Sequence, residues 1–323
     1  MSILIRKPGI LSTVQDLGRI CYRSLGINRN GVMDRSAARL INILLNNGEN
    51  AAVIEMHFPA AEILFERECL FALGGADFAS HLDGHRVGNW RIHRAGEGSI
   101  LTFQNKVQGE RTYLAIEAGF HVQDWLGSAS TNLSATVGGC CGRKLARNDR
   151  IELFSVCESR GRLFNQQLST SLIPRYSRLP TVRVVKGGEY EMLKSKSRSL
   201  LESSVFQISN NSNRMGYRLI GEPMVLTAPT EILSSAVNFG TIQLFPDGQL
   251  IVLMADHQTT GGYPRIANVI EYDLPLLAQI GASDKVAFHL IDIADAERIA
   301  AAFQHDLELL KTGVRLCSNH YLG

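Results

Sequence analysis

The densest run of chemically capable side chains is Met254–Arg265, MADHQTTGGYPR. An apolar stretch, LIVLM, ends there in Asp256, His257, Gln258, Thr259 and Thr260, followed by Gly261, Gly262, Tyr263 and Pro264. A rigid strand delivering polar side chains onto a glycine loop is a common way to build a site. His257 suits general acid or base work, with Asp256 orienting it. Adjacent strand residues point to opposite faces, so both reach one ligand only if the strand has ended. A solvated loop is the plainer alternative. A second run, GILSTVQDLGR at Gly9–Arg19, places an amide (Gln15), a carboxylate (Asp16) and a guanidinium (Arg19) close together. Such a set can hold a planar amide or carboxylate bidentately, although a turn with a solvated ion pair explains it as well.

Three further segments carry polar groups. In Trp125–Lys144, WLGSASTNLSATVGGCCGRK, the hydroxyls of Ser128, Ser130 and Thr131, several glycines and Arg143 can cradle an anion or phosphate; a polar loop with glycine bends is the alternative. In SNNSNRMGYRL, Arg214 and Arg218 flank Gly216. In NRNGVMD, Asp34 opens a helix and reads first as its cap. Glu55, within VIEMHFP, reads as outward-facing by strand alternation, the alternative being a buried, perturbed carboxylate. His81 and His85 flank an Asp-Gly turn without an evident third ligand, so no metal site is assigned.

Positioning these groups requires mostly short strands. Ile3–Ile5, Val53–Met56, Glu62–Phe65, Leu70–Leu73, Ile100–Phe103, Tyr113–Glu117 and Ile151–Phe154 fit the pattern, as do Val182–Val185, Val205–Ser209, Thr241–Phe245, Leu250–Met254 and Val286–Ile291. Asp83-Gly84 and Asp247-Gly248 mark hairpin turns. Three helices are expected: Arg35–Asn46 capped by Asp34 with Gly48 beyond its end, Leu274–Ile280 capped by Asp273, and Ile293–Lys311 capped by Asp292 and stopped by Gly313. The 323 residues suggest two domains. The expected division is a first domain over 1–158, a linker over 159–180, a second domain over 181–292, and a C-terminal helix and tail over 293–323. Many short strands with turns between them favour closed or half-closed barrels, in a mainly β chain with some α.

Composition narrows the function. A net charge of +2, from 33 basic and 31 acidic residues, argues against a nucleic-acid binder. The N-terminus lacks a secretory core and no apolar run spans a bilayer, so a cytoplasmic, membrane-free protein is expected. Six cysteines without a C-x-x-C spacing read as free, mostly buried thiols. There is no P-loop, no G-x-G-x-x-G, no H-E-x-x-H and no G-x-S-x-G. An Ala-Met-Lys-Met-type segment is also missing, so the chain should carry no biotin of its own.

GILSTVQDLGR, NGVMD, LGGADF, GSAST with the following GG and GR, SNRMGYRL, GTIQ, PDGQ and LMADHQTTGGYPRIANVI together resemble the carboxyltransferase subdomain A/B family. That family includes the C subunit of 5-oxoprolinase, KipA-type proteins, the second subunit of allophanate hydrolase and the carboxyltransferase region of urea carboxylase. The resemblance runs in order from about residue 8 to about 290. It departs from the family pattern at Asn213, where Asp is usual, at Gly187-Gly188 for Gly-Pro, at Cys140-Cys141 and at Ala282-Ser283-Asp284.

The resemblance implies two cyclophilin-like β-barrel domains with a cleft between them, and the A and B subunits of 5-oxoprolinase as partners. It implies an ATP-dependent hydrolase that opens 5-oxo-L-proline to L-glutamate. The alternatives are a biotin-dependent carboxyltransferase that uses carboxybiotin in trans on urea or a similar amide, and a non-catalytic, KipA-like regulatory binding protein. In either enzyme, amide resonance must be overcome by donors at the amide oxygen and an acceptor at N–H. The expected arrangement has Gln15, Asp16, Arg19 and Asp34 from one barrel facing Arg214 and Asp256–Tyr263 from the other. The arginines would stabilise an oxyanion or phosphate, and Asp256 or His257 would handle protons.

Overall fold

The structure is a computed structural model that describes residues 2–154, 166–228 and 232–319. The chain is mainly β with a few helices, as expected. It divides into two units that interleave in sequence. The first comprises Met1–Gly18, Asp34–Arg175 and Gln304–Gly323; the second comprises Arg19–Met33 and Tyr176–Phe303. Of the expected linker, residues 159–165 lie outside the described residues, as does Cys157.

The first unit holds two sheets. One has seven strands in the order Phe120–His121, Arg150–Leu153, Ser2–Lys7, Glu62–Phe65, Ile100–Phe103, Ser80–Leu82 and His85–Arg86. The other has five, in the order Ser12–Gln15, Val53–His57, Gln108–Ile116, Cys69–Asp77 and Ile92–Ala95. Ile3, Ile5, Ile63, Phe65 and Leu101 from the first sheet and Val14, Ile54, Met56, Phe71 and Leu114 from the second share one core. The opposite face of the five-stranded sheet carries the helix Arg35–Leu44 over its Cys69–Asp77 and Gln108–Ile116 strands. A side chain at Gly74 would lie 2.7 Å from Ile41 Cγ2, so glycine there lets the helix approach closely. The Asp34 carboxylate caps this helix, accepting from the Ala37 N–H at 2.8 Å. Asn46, at φ +56°, takes the left-handed position after its end, two residues before the expected Gly48.

The second unit is a closed seven-stranded barrel, ordered Thr181–Lys186, Arg265–Val269, Thr241–Leu244, Leu250–Leu253, Gly216–Ile220, Val205–Ile208 and Lys285–Leu290. Parallel pairing of the first strand with the last closes it. Val182, Val184, Phe206, Ile208, Leu219, Ile242, Val252 and Phe288 alternate into its core, and Met33 joins them. Gly187 must be glycine, since a Cβ would lie 2.1 Å from the Arg265 carbonyl oxygen.

Two expected caps resolve differently. Asp292 caps the last helix, accepting from the Asp295 N–H at 2.7 Å. Asp273 makes no cap bond, because its carboxylate accepts from the Arg183 backbone N–H and guanidinium at 2.6–2.9 Å. The last helix, Ile293–Asn319, continues through Gly313, where a Cβ would meet nothing within 4 Å. The helix Ser195–Ser203 is not legible in the sequence, because its serines and lysines leave little apolar stripe. The thiols are less buried than expected: Cys69 is buried, Cys140 half-buried, and Cys21, Cys141 and Cys317 are exposed. Among the described residues no helix is long and apolar enough to cross a membrane.

Glu189 grips Arg265 through Nε and Nη2 at 2.9 and 2.7 Å and also accepts its backbone N–H. The guanidinium hydrogen bonds hold the Glu189 carboxyl below its ordinary 4.5, against the opposing effect of burial. A carboxyl lowered in the folded state contributes stability above its unfolded value and loses it as pH falls. Glu189→Gln should therefore flatten the loss of barrel stability below about pH 4.5. Urea unfolding at a series of pH values measures this, and an unchanged slope contradicts it.

Candidate functional site

On the five-stranded sheet, the face opposite the apolar core is polar. Thr13 pairs across from Glu55, and Glu55 from Tyr113, so the three stand side by side on one face. Gln15 and Arg111, two positions along their strands, share that face. All five are buried: Gln15 1%, Thr13 and Glu55 2%, Arg111 4% and Tyr113 0% exposed. The expectation that Glu55 faces solvent is corrected here. Alternation does turn it away from Ile54 and Met56, but onto a second buried face.

Tyr113 ties this face to the start of the helix. Its hydroxyl donates to Glu55 Oε2 at 2.9 Å and accepts the Asp34 backbone N–H at 2.9 Å. Arg111 Nε lies 4.0 Å from Glu55 Oε1. Burial, then the Glu55 and Asp34 carboxylates, push the Tyr113 hydroxyl well above its ordinary range, so it stays a proton donor.

Asp16 is saturated at 3% exposure. Oδ1 accepts from the Gly18 N–H, Ser128 Oγ and Ser130 Oγ at 2.8, 2.7 and 2.5 Å, and Oδ2 from the Ala129 N–H at 2.7 Å. Thr131 Oγ1 donates to the Val14 carbonyl at 2.9 Å. Gly139 packs against Thr131 so closely that a Cβ would sit 2.0 Å from Oγ1. Arg143 pairs with both oxygens of Asp149 at 2.7 and 2.8 Å. Of the hydroxyls grouped as an anion cradle, those of Ser128 and Ser130 serve Asp16 and that of Thr131 serves the Val14 carbonyl, while Arg143 pairs with Asp149. Burial, then Asp149, push the Cys140 thiol up to about 11, which makes it a poor nucleophile.

In the second unit, Arg214 and Asp256 form a two-pronged pair: Nε to Oδ2 at 2.8 Å and Nη2 to Oδ1 at 3.0 Å. Arg214 Nη2 also donates to the Gly31 carbonyl at 2.6 Å. Asn30 Nδ2 donates to Asp256 Oδ1 at 2.8 Å, Asn28 Nδ2 to the Asp256 carbonyl at 3.1 Å, and Arg19 Nη1 to Asn30 Oδ1 at 3.3 Å. Arg19, expected on the first barrel with Gln15 and Asp16, belongs to the second unit instead. Arg23 Nη1, donating to Asn238 Oδ1 at 2.7 Å, holds the same Arg19–Met33 segment to the barrel. Asn213, in place of the usual aspartate, faces its own turn rather than Arg214: Oδ1 accepts from the Met215 N–H at 2.8 Å. An amide oxygen does this as well as a carboxylate oxygen.

His257 is 4% exposed, with Nδ1 2.5 Å from the Gln258 carbonyl. A carbonyl only accepts, which assigns the proton to Nδ1. The rest of the glycine loop divides. Gln258 and Thr260 are exposed, Thr259 is half-buried, and Thr260–Gly261 pairs with Ser235–Ala236. Gly262 and Tyr263 line a cavity of about 900 Å³ with Phe245, Val225 and Pro264. Arg214, Asp256 and His257 do not line that cavity. The Tyr263 ring meets Phe245 edge-on, centroids 4.7 Å apart.

Sequence reasoning misses Asn28, Asn30, Arg111 and Tyr113 and misjudges Glu55. The available signal is period-two alternation, clear for Glu55, which sits between Ile54 and Met56, and weaker for Tyr113, which sits between Thr112 and Leu114.

Residues 25–290 match the family described as carboxyltransferase domain, subdomain A and B. The chain is similar to a Haemophilus influenzae protein named as the C subunit of 5-oxoprolinase, 35% identical over 288 residues, which cover 89% of this chain and 91% of that one. It is also similar to the urea amidolyase of Saccharomyces cerevisiae, 29% identical over 302 residues, 89% of this chain but 16% of the yeast protein. Among solved structures, the Kluyveromyces lactis urea carboxylase shares the fold, with a TM-score of 0.89 at 24% identity over 97% of this chain and 29% of that one.

Proposed function

Because the chain belongs to the carboxyltransferase domain, subdomain A and B family, we propose that it is the C subunit of an ATP-dependent 5-oxoprolinase, acting with the A and B subunits to open 5-oxo-L-proline to L-glutamate. The carrying observation is the match to a relative of that name over 89% of this chain and 91% of its length. Opening a five-membered lactam means breaking a resonance-stabilised C–N bond, so the site must bind the amide's N–H and draw charge toward its oxygen. In this reading the buried polar face around Gln15 and Glu55 receives the amide. Within the second unit, Asp256 and the Gly31 carbonyl hold the Arg214 guanidinium in a fixed orientation. Asp256 has both oxygens engaged, so it positions Arg214 and is poorly placed to move protons. Ser128, Ser130 and Arg143 are occupied within the chain and do not fit a phosphate cradle. In this reading ATP is a requirement of the assembled complex.

A second reading draws on the similarity to urea amidolyase: a carboxyltransferase that takes carboxybiotin in trans and acts on urea or a similar amide. Co-expression separates the two. The first reading predicts that the chain co-purifies with the A and B subunits and with no biotinylated protein. An avidin-positive partner in place of those two contradicts it.

A further inference from the structure

Gln15 sits in the edge strand Ser12–Gln15, 1% exposed, with both ends of its amide in fixed surroundings. Nε2 donates to Thr13 Oγ1 at 3.1 Å and to the Thr131 carbonyl at 3.2 Å. The Thr131 carbonyl can only accept, so flipping the amide would set oxygen against oxygen. The orientation is thereby locked. The other end, Oε1, is buried and has no hydrogen-bond partner among the described residues. Leaving a buried acceptor unmade costs roughly 1–3 kcal/mol, which a matching donor relieves.

We infer that Gln15 Oε1 is the acceptor for a ligand N–H, so that the first unit selects amides that keep a hydrogen on nitrogen; the inference rests on the amide-substrate reading above. Thr13, Glu55 and Tyr113 share the buried face on which Gln15 lies. A ligand presenting a carbonyl, a carboxylate or an N-substituted amide to Oε1 would bring oxygen to oxygen or carbon to oxygen. A secondary lactam or a urea presents the donor. A fixed acceptor that cannot become a donor discriminates by leaving the wrong partner unpaired, which is stronger than discrimination by size.

The test uses the full chain, labelled with 15N at glutamine side chains and titrated with two small lactams, 2-pyrrolidinone and N-methyl-2-pyrrolidinone. The expected result is that the N–H lactam binds about tenfold or more tightly than its N-methyl analogue and shifts the Gln15 side-chain resonances. In Gln15→Leu the preference should vanish. Equal affinities in the wild type, no binding of either lactam, or a preference that survives in Gln15→Leu overturns the inference and leaves Oε1 to a trapped water. The wild-type comparison and the Gln15 resonances decide the matter even if the variant fails to fold. A chain that selects the N–H lactam but supports no glutamate formation with its partners refutes the proposed function alone; a chain that supports it without that selectivity refutes the inference alone.

Discussion

Arg214→Ala should destabilise the barrel unit by about 3–5 kcal/mol, the cost of leaving one half of a buried ion pair without the other. Arg214 is 7% exposed and bonds both Asp256 oxygens as well as the Gly31 carbonyl. Its removal strips the carboxylate of two donors and the carbonyl of one, in a place where water cannot readily substitute. Asn30 remains to Asp256, but a single neutral amide does not balance a carboxylate. Arg214→Lys keeps the charge and loses the planar fork, so an intermediate cost is expected. Urea unfolding of the full chain reads both. An alanine variant within about 1 kcal/mol of wild type would contradict the network, since surface pairs are worth no more than that.

Tyr113→Phe should cost about 2–3 kcal/mol although it deletes one oxygen atom, because that oxygen serves two buried groups. The hydroxyl donates to Glu55 and accepts from the Asp34 N–H, and Tyr113 is fully buried. Phenylalanine removes a donor from the Glu55 carboxylate and an acceptor from the backbone at the first turn of the helix Arg35–Leu44. Glu55→Gln keeps an acceptor for the tyrosine and should cost less than Tyr113→Phe. Thermal or urea unfolding of the two variants ranks them. A phenylalanine variant as stable as wild type would show that the tyrosine packs as a ring alone.

Five of the barrel strands are legible because they alternate apolar residues into one core, as Val182 and Val184, Phe206 and Ile208, and Val252 do; Gly216–Ile220 and Arg265–Val269 sit inside the polar motifs and are not read as strands. The helix Arg35–Leu44 is legible from its Asp34 cap and apolar stripe. The strand Ser12–Gln15 is not, because Val14 is its lone apolar residue and Thr13 and Gln15 belong to a buried polar face. Periodicity assumes that the face away from the core meets water, and here that assumption fails. Glu55 is misjudged for the same reason. The Arg19–Met33 segment is unreadable for another: it joins the barrel through Met33 and through Arg23, Asn28 and Asn30, and such long-range bonds leave no local pattern. Motif spacing names Arg214 and Asp256 separately. What it cannot supply is their relation, a carboxylate that grips a guanidinium through both oxygens.

The most direct measurement is reconstitution. The purified chain is combined with candidate A and B subunits, 5-oxo-L-proline and ATP, and free glutamate is quantified against ATP consumed. Glutamate should appear only when all three proteins and ATP are present. Three folded proteins that yield none, or a full yield with this chain left out, would contradict the assignment.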